Sequence, residues 1–205
     1  MTSISKYEIF HINDSDNFAW GSNQEWYLDS WQRTAGCGPS TCANLVWYLS
    51  KTLDEFKPLF FCENNDRTSM LALMEELWTY ITPTRMGVNN TSIFAEGAAK
   101  FGLDKGVKFK IDVLKIPVFP TERSDWNTVK KYLSYAFSND LPVAFLNLSN
   151  GKLKNLESWH WVTLTGIDEK TSAVTMLDQG KRSEIDLKLW LNTSAMGGGF
   201  VSLSL

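Results

Sequence analysis

The sequence predicts an α+β fold in which N-terminal helices pack on a C-terminal antiparallel sheet. Before residue 139, apolar residues recur mostly at the three- and four-residue spacing typical of helices. Beyond it, short apolar runs separated by turn residues are typical of strands. Helices collected early and strands collected late favour two packed layers over alternating β and α units. A chain of 205 residues with 43% hydrophobic content can bury a full core, so we expect one domain over 1–205.

Residues 1–30 are polar and aromatic without clear periodicity, and we interpret them as an ordered arm with short extended pieces. The first predicted helix spans 39–50, where an apolar face recurs at Cys42, Leu45, Val46 and Leu49. Pro39 suits a first helical turn because its missing N–H would have no partner there. The helix should therefore start immediately after Cys37.

The remaining elements follow from periodicity and capping residues. Further helices are predicted over 67–81 with Asp66 as N-cap, over 92–101 ending at Gly102, and over 124–137. Strands are predicted over 107–113, 142–148, 159–167, 173–178 and 200–205.

Charge and cysteine content bear on partners and location. The net charge is −3 without a Lys/Arg block, so neither nucleic acid nor a membrane surface is an expected partner. Residues 1–13 lack the apolar stretch of a signal peptide, and no run approaches the roughly 18 apolar residues of a membrane span. The three cysteines are few and odd in number, which is not typical of a disulfide framework and favours a cytoplasmic location.

Cys37 carries the strongest chemical signal. A cysteine at a helix N-terminus lies at the positive end of the helix dipole, which stabilises a thiolate nucleophile. Gly36 and Gly38 would leave room for a substrate carbonyl to approach the sulfur and the Cys37 N–H, an expected oxyanion donor. The competing interpretation is that Cys37 is simply a small apolar residue at a helix start and that the two glycines serve a turn.

Other residues near this helix receive separate interpretations. Cys42, on the apolar helix face, and Cys62, after an apolar run, are expected to be buried inert thiols. Gln32 lies five positions before Cys37, and its amide is a candidate second oxyanion donor or simply a surface side chain.

His160 is the candidate base. The chain has two histidines, and His160 stands at the start of an apolar strand, whereas His11 lies in the unpatterned arm. A histidine at a strand end can project into a cleft on a fixed backbone. A hydrogen-bonded core histidine is the alternative, which the independent cysteine signal disfavours.

Two carboxylates could orient His160. Asp168 lies too far along the same strand and belongs to the turn. If 168–172 form a hairpin loop, Ile167 pairs with Ala173 and Val162 faces Asp178, which puts Asp178 diagonal to His160 on one face. This depends on register, and a turn-capping role for Asp178 is the alternative.

These residues resemble a known family. Gly36-Cys37-Gly38-Pro39, followed by Ala43-Asn44-Leu45, His160-Trp161 and Asp178, is similar to papain-like peptidases of the bacterial double-glycine leader peptidase type. The resemblance runs from about residue 32 to 201 and implies a papain-like cysteine proteinase fold, a Cys/His/Asp triad and an oxyanion glutamine. The family's glutamine usually lies six residues before the cysteine, and its members are often fused to membrane exporters with an ATPase. This sequence shows neither part, so the resemblance implies a stand-alone hydrolase rather than leader processing.

The sequence thus predicts a cysteine-dependent hydrolase, with peptide amide cleavage as the first choice. The expected catalytic residues are Cys37, His160, Asp178 and Gln32, with a peptide or small amide as substrate and no cofactor or metal. An amidase or acyltransferase using the same triad remains open, as does a non-catalytic papain-like module that binds a peptide. A metal enzyme is disfavoured because the two histidines and three cysteines show no ligand spacing.

Overall fold

The computed structural model describes residues 1–15 and 17–205 and has an α+β architecture. Its α-helices are α1 (Ser30–Ala35), α2 (Cys37–Thr52), α3 (Arg67–Trp78), α4 (Thr91–Asp104), α5 (Trp126–Ser138) and α6 (Leu187–Thr193). Its strands are β1 (Thr2–Ser3), β2 (His11–Asp14), β3 (Asn17–Trp20), β4 (Lys110–Ile116), β5 (Val143–Asn147), β6 (His160–Ile167), β7 (Ala173–Asp178), β8 (Lys181–Asp186) and β9 (Gly198–Ser204).

The main sheet is antiparallel at every pairing between its described strands. Its order is β4-β9-β5-β6-β7-β8, with the short β1 added to β6. Strands β5 and β6 lie in the middle and are buried along their whole length, as expected when both faces of a sheet are covered. The α+β fold class predicted from the sequence is confirmed.

Helix α2 lies at the centre of the molecule. It packs against α3 on one side and β6 on the other, and 37–50 are buried on all faces. A helix that is buried all round carries apolar or paired side chains on every face. Trp47 and Tyr48 on α2 are fully buried, and they belong to one core cluster that also contains Phe145 and Trp161 of the sheet.

Acidic and amide side chains cap several helices, and the predicted N-cap Asp66 is one of them. Asp66, Asn90, Asp125 and Asp186 each accept a hydrogen bond from a backbone N–H of the first turn of α3, α4, α5 and α6. The predicted end of α4 at Gly102 was wrong, because the helix continues to Asp104. Gly106, with φ +77°, supplies the left-handed residue after it.

The predicted strand over 107–113 also lies later than expected, because β4 spans Lys110–Ile116. It is an edge strand paired only with β9, and its Val113 is 38% exposed. Edge strands bury less of either face, which weakens the periodic signal. Helices α1 and α6 and strand β8 were not predicted from the sequence.

The described residues of the arm, 1–15 and 17–30, are ordered and form short pieces, as predicted. It contributes β1, the β2–β3 hairpin and two short 3₁₀ turns. Phe10 and Ile12 of the arm are fully buried in the core.

None of the helices described here combines the length and apolar character needed to cross a bilayer.

Candidate active site

Cys37 lies at the start of the central helix. Helix α1 ends at Ala35, Gly36 breaks the helix, and Cys37 is the first residue of α2. The N–H groups of a first helical turn have no acceptor within their helix, so the Cys37 N–H points out of the helix start. The side chain is 8% exposed, which leaves a narrow approach to the sulfur.

The glycines around Cys37 serve packing rather than substrate access, contrary to the prediction. A Cβ on Gly36 would clash with the Gln32 carbonyl oxygen and lie 2.5 Å from the Tyr27 ring. A Cβ on Gly38 would lie 2.9 Å from Val88. Both positions are closed by neighbouring protein atoms, so glycine is required for the helix start to fit its surroundings.

His160 and Asp178 form a hydrogen-bonded pair beside Cys37. The His160 Nε2 and Asp178 Oδ1 atoms are 2.7 Å apart, and the His160 side chain is nearly buried. Because Nε2 is engaged by the carboxylate, Nδ1 is the ring nitrogen left to serve Cys37. The structure therefore brings together three residues that the sequence predicted to act as a unit.

This arrangement favours a protonated imidazole. Burial alone would lower the pKa of His160, but the hydrogen bond to Asp178, the neighbouring Cys37 and the charge of Asp178 outweigh it. Together they raise the pKa of His160 to about 10. An imidazolium at neutral pH is the partner that a cysteine thiolate needs.

The β6–β7 pairing that aligns His160 with Asp178 contains a β-bulge. Ile167 pairs with Val174, so the predicted pairing with Ala173 was wrong by one residue. The register shifts between Leu164 and Gly166, after which Thr163 pairs with Leu177. The bulge thus restores the predicted alignment at the far end of the strands, and Asp178 reaches the imidazole from the expected face.

Asp178 is held by a tight turn that the arm supports. Gln179 and Gly180 connect β7 to β8 with φ values of +46° and +72°, as in the two-residue hairpin turns that follow the strand twist. The Trp20 N–H donates to the Gly180 carbonyl at 2.8 Å, and the Gly180 N–H donates to the Ser22 carbonyl at 3.0 Å. The N-terminal arm therefore fixes the turn next to the carboxylate.

Asn44 joins the three parts of the site. Its Nδ2 donates to Thr163 Oγ1 of β6 at 2.9 Å, and its Oδ1 accepts from the Ser22 N–H of the arm at 2.7 Å. The side chain is 3% exposed. One buried amide thus connects the Cys37 helix with the His160 strand and with the arm.

The structure does not bring Gln32 to this group. The Gln32 Nε2 donates to Glu75 Oε2 at 2.6 Å, and Gln32 is not among the described residues that line the cavity at Cys37. Helix α1 turns its side chain towards α3 instead. The predicted oxyanion donor therefore has a different partner.

Gln24 is the glutamine that lines this cavity, and the sequence reading missed it. Its Nε2 donates to the Arg33 carbonyl at 2.7 Å, which leaves the second N–H of the amide available. Its Oε1 is buried without a hydrogen-bond partner among the described residues. No local pattern marks Gln24, because it lies in the aperiodic arm.

The remaining candidates occupy ordinary positions. Cys42 is fully buried, and burial raises its pKa. Cys62 is half-buried and accepts a hydrogen bond from Lys51 Nζ at 3.3 Å. Asp168 caps the β6–β7 turn by accepting from the Lys170 N–H, and this bond lowers its pKa. The His11 ring packs between Phe18 and Trp20 in the arm, with ring centroids 4.4 Å from each.

Two cavities of different character meet at Cys37. The smaller has a volume of about 10 Å³, enough for one water-sized group, and Gln24, His160 and Asp178 also line it. The larger has a volume of about 380 Å³ and shares only Cys37 with the lining of the smaller. A carbonyl oxygen matches the size of the first, and a side chain matches the second.

No known family model matches this chain, and no curated protein resembles it closely enough to count as a relative.

Proposed function

We propose that this protein is a papain-like cysteine hydrolase that cleaves a peptide amide bond through a Cys37 thioester. The observation that carries the proposal is that Cys37, at the start of α2, lines one small cavity together with the hydrogen-bonded His160–Asp178 pair. A nucleophile at a helix N-terminus, a base beside it and a carboxylate that orients the base are the parts that acyl transfer requires.

In the acylation step, the Cys37 thiolate attacks the amide carbonyl carbon and a C–S bond forms. The carbonyl electron pair moves to oxygen, where the Cys37 N–H and the free N–H of Gln24 can donate to it. When this intermediate collapses, the C–N bond breaks and the leaving amine takes a proton from His160. The products are a free amine and a thioester on Cys37.

In the deacylation step, the neutral His160 takes a proton from a water molecule. The resulting C–O bond replaces the C–S bond, the carboxylic acid leaves, and the thiolate–imidazolium pair is restored. Asp178 keeps the imidazole ring oriented throughout, because its carboxylate holds Nε2 at 2.7 Å.

Alkylation with iodoacetamide at pH 6 tests the ion pair directly. An ordinary thiol, with a pKa near 8.5, is almost fully protonated at that pH, whereas a thiolate paired with imidazolium reacts rapidly. We expect rapid modification of Cys37, located by peptide mass spectrometry, and a loss of about 100-fold or more in rate in His160→Ala.

The half-buried Cys62 is the second thiol that could react, so Cys62→Ser serves as the matched control and should alkylate at the wild-type rate. Reactivity of Cys37 that emerges only near pH 8.5, with no effect of His160→Ala, would show that no ion pair exists. A rapid His160-dependent alkylation without hydrolysis of any peptide library would instead favour an acyltransferase or a binding module.

A further inference from the structure

The larger cavity beside Cys37 is walled by exposed apolar side chains. Trp31 and Trp159 are each 44% exposed and Met86 is 58% exposed, and all three line it. Half-exposed indoles at the mouth of a cleft offer large apolar faces at low conformational cost. Such a wall suits an apolar side chain of a ligand.

Trp159 is held there at an energetic cost. Its φ is +57°, a left-handed conformation that is rare for a bulky residue. Backbone strain of this kind persists where the surrounding structure enforces it and concentrates at ligand sites. Asn147, opposite His160 on β5, contributes to this enforcement by donating to the Glu157 carbonyl just before Trp159.

A second apolar cavity continues the first. It has a volume of about 350 Å³, shares Asn89, Leu146 and Leu148 with the first cavity, and extends to Val118 and Met196. The two cavities therefore form one groove that starts at Cys37. A groove with two apolar compartments fits an extended chain rather than a small amide.

The chemistry of the site assigns the groove to one side of the scissile bond. The leaving amine must lie within hydrogen-bond reach of His160, which does not line the larger cavity, and the small cavity holds no more than the carbonyl oxygen. The acyl part of the substrate must therefore extend from Cys37 into the groove.

On the basis of the proposed function, we infer that this protein acts on extended polypeptides with two large apolar side chains on the N-terminal side of the scissile bond. The first side chain lies between Trp31 and Trp159 over Met86. The second lies further along the groove against Val118 and Met196. A chain of glycines in these positions would leave both compartments empty and is a poor substrate.

Peptidyl chloromethyl ketones test this inference, because the Cys37 thiolate displaces chloride and the attached peptide must occupy the acyl side. The probes are the acetylated tetraglycyl compound and its four variants with a single phenylalanine at each position. We expect phenylalanine at one of the two positions nearest the ketone, and at one more distant position, to raise the second-order inactivation rate about tenfold or more.

Substitutions in the groove assign each preference to its compartment. Trp31→Ala should reduce the preference at the near position about three- to tenfold. Val118→Ser should reduce only the distant preference, by about two- to fivefold. Phe61→Ala is the matched control, because Phe61 is 84% exposed and lines neither compartment, and it should change neither preference.

Iodoacetamide separates failure of this inference from failure of the proposed function, since it needs no groove. Rapid His160-dependent alkylation together with inactivation rates that agree within about twofold across the five probes would overturn the inference alone. Preferences that survive both groove substitutions would also overturn it. Absence of His160-dependent alkylation would remove the proposed function itself.

Discussion

At the scale of single residues, the two glutamines near Cys37 make opposite contacts. Gln24 lines the small cavity with one amide N–H uncommitted, whereas Gln32 donates to Glu75 away from it. A donor stabilises an oxyanion only if it lies where the negative charge develops. Gln24 is therefore the better candidate for this role.

Acylation by p-nitrophenyl acetate distinguishes the two glutamines. Gln24→Ala should slow the release of p-nitrophenolate by about 100-fold, because an oxyanion donor is lost. Gln32→Ala should leave this rate within about twofold of wild type.

Alkylation by iodoacetamide forms no oxyanion, so neither substitution should alter its rate at pH 6. An equal loss in both reactions in Gln24→Ala would mean that Gln24 supports the local structure rather than the oxyanion.

Some site residues could be predicted from the sequence pattern around them, and others could not. Cys37 stands out because a helix signal begins beside it, and His160 stands out because it opens an apolar strand. Gln24 reaches the cavity only through the fold of the arm, which shows no periodicity. Gln32 lies at a plausible spacing, but the short helix α1 turns its side chain towards α3.

At the scale of elements, one buried amide sets the position of α2 against β6. Asn44 satisfies both the Ser22 N–H and the Thr163 hydroxyl inside the protein. A buried polar group that loses its partner retains its desolvation cost. The Asn44 amide therefore stabilises the fold and also helps to hold Cys37 close to His160.

Asn44→Ala should lower the free energy of unfolding by about 1–3 kcal/mol, measured by urea denaturation. The same variant should alkylate Cys37 more slowly at pH 6, because the helix start is no longer held against β6. The exposed Asn192 provides the control, and Asn192→Ala should change stability by less than about 0.5 kcal/mol. A stable Asn44→Ala with unchanged alkylation would contradict this role.

Helix starts were predictable where burial is one-sided and regular, although α3, predicted to run to 81, ends at Trp78. Helices α3 and α5 have clear apolar stripes and acidic caps, and their predicted starts agree with the structure within two residues. The bulge in β6 could not be derived from hydrophobic pattern, because that strand is buried on both faces. The sequence signal for this bulge was Gly166, because a glycine within a strand often marks a bulge or a close approach. The structure shows such an approach, since a Cβ at Gly166 would lie 2.8 Å from the Tyr7 hydroxyl.

At the scale of the whole molecule, the His160 proton links the site to the stability of the fold. The pKa of His160 is about 10 in the folded protein, whereas an unperturbed histidine has a pKa of 6.5. The folded state therefore binds this proton more tightly than the unfolded chain. Its contribution to stability is complete below pH 6.5 and is lost as the pH rises towards 10.

The difference in unfolding free energy between wild type and His160→Gln should therefore be largest below pH 6.5. Above that pH it should fall by up to about 1.4 kcal/mol per pH unit and level off near pH 10. Urea denaturation at a series of pH values measures it.

Asp178→Asn removes a carboxylate charge while retaining an acceptor, so the decline should end at a lower pH in that variant. Parallel curves for wild type and His160→Gln from pH 6 to 10 would show that the proton is not held more tightly in the folded state.

The support that the arm gives to the β7–β8 turn has a consequence for how the protein is made. The arm and Cys37 leave the ribosome before β6 and β7, so the thiol is synthesised well ahead of its charged partners. The backbone hydrogen bonds that join Trp20 and Ser22 to Gly180 connect segments that lie far apart in the chain, and such contacts form slowly. Under the proposed function, Cys37, His160 and Asp178 therefore come together only after these distant segments have met.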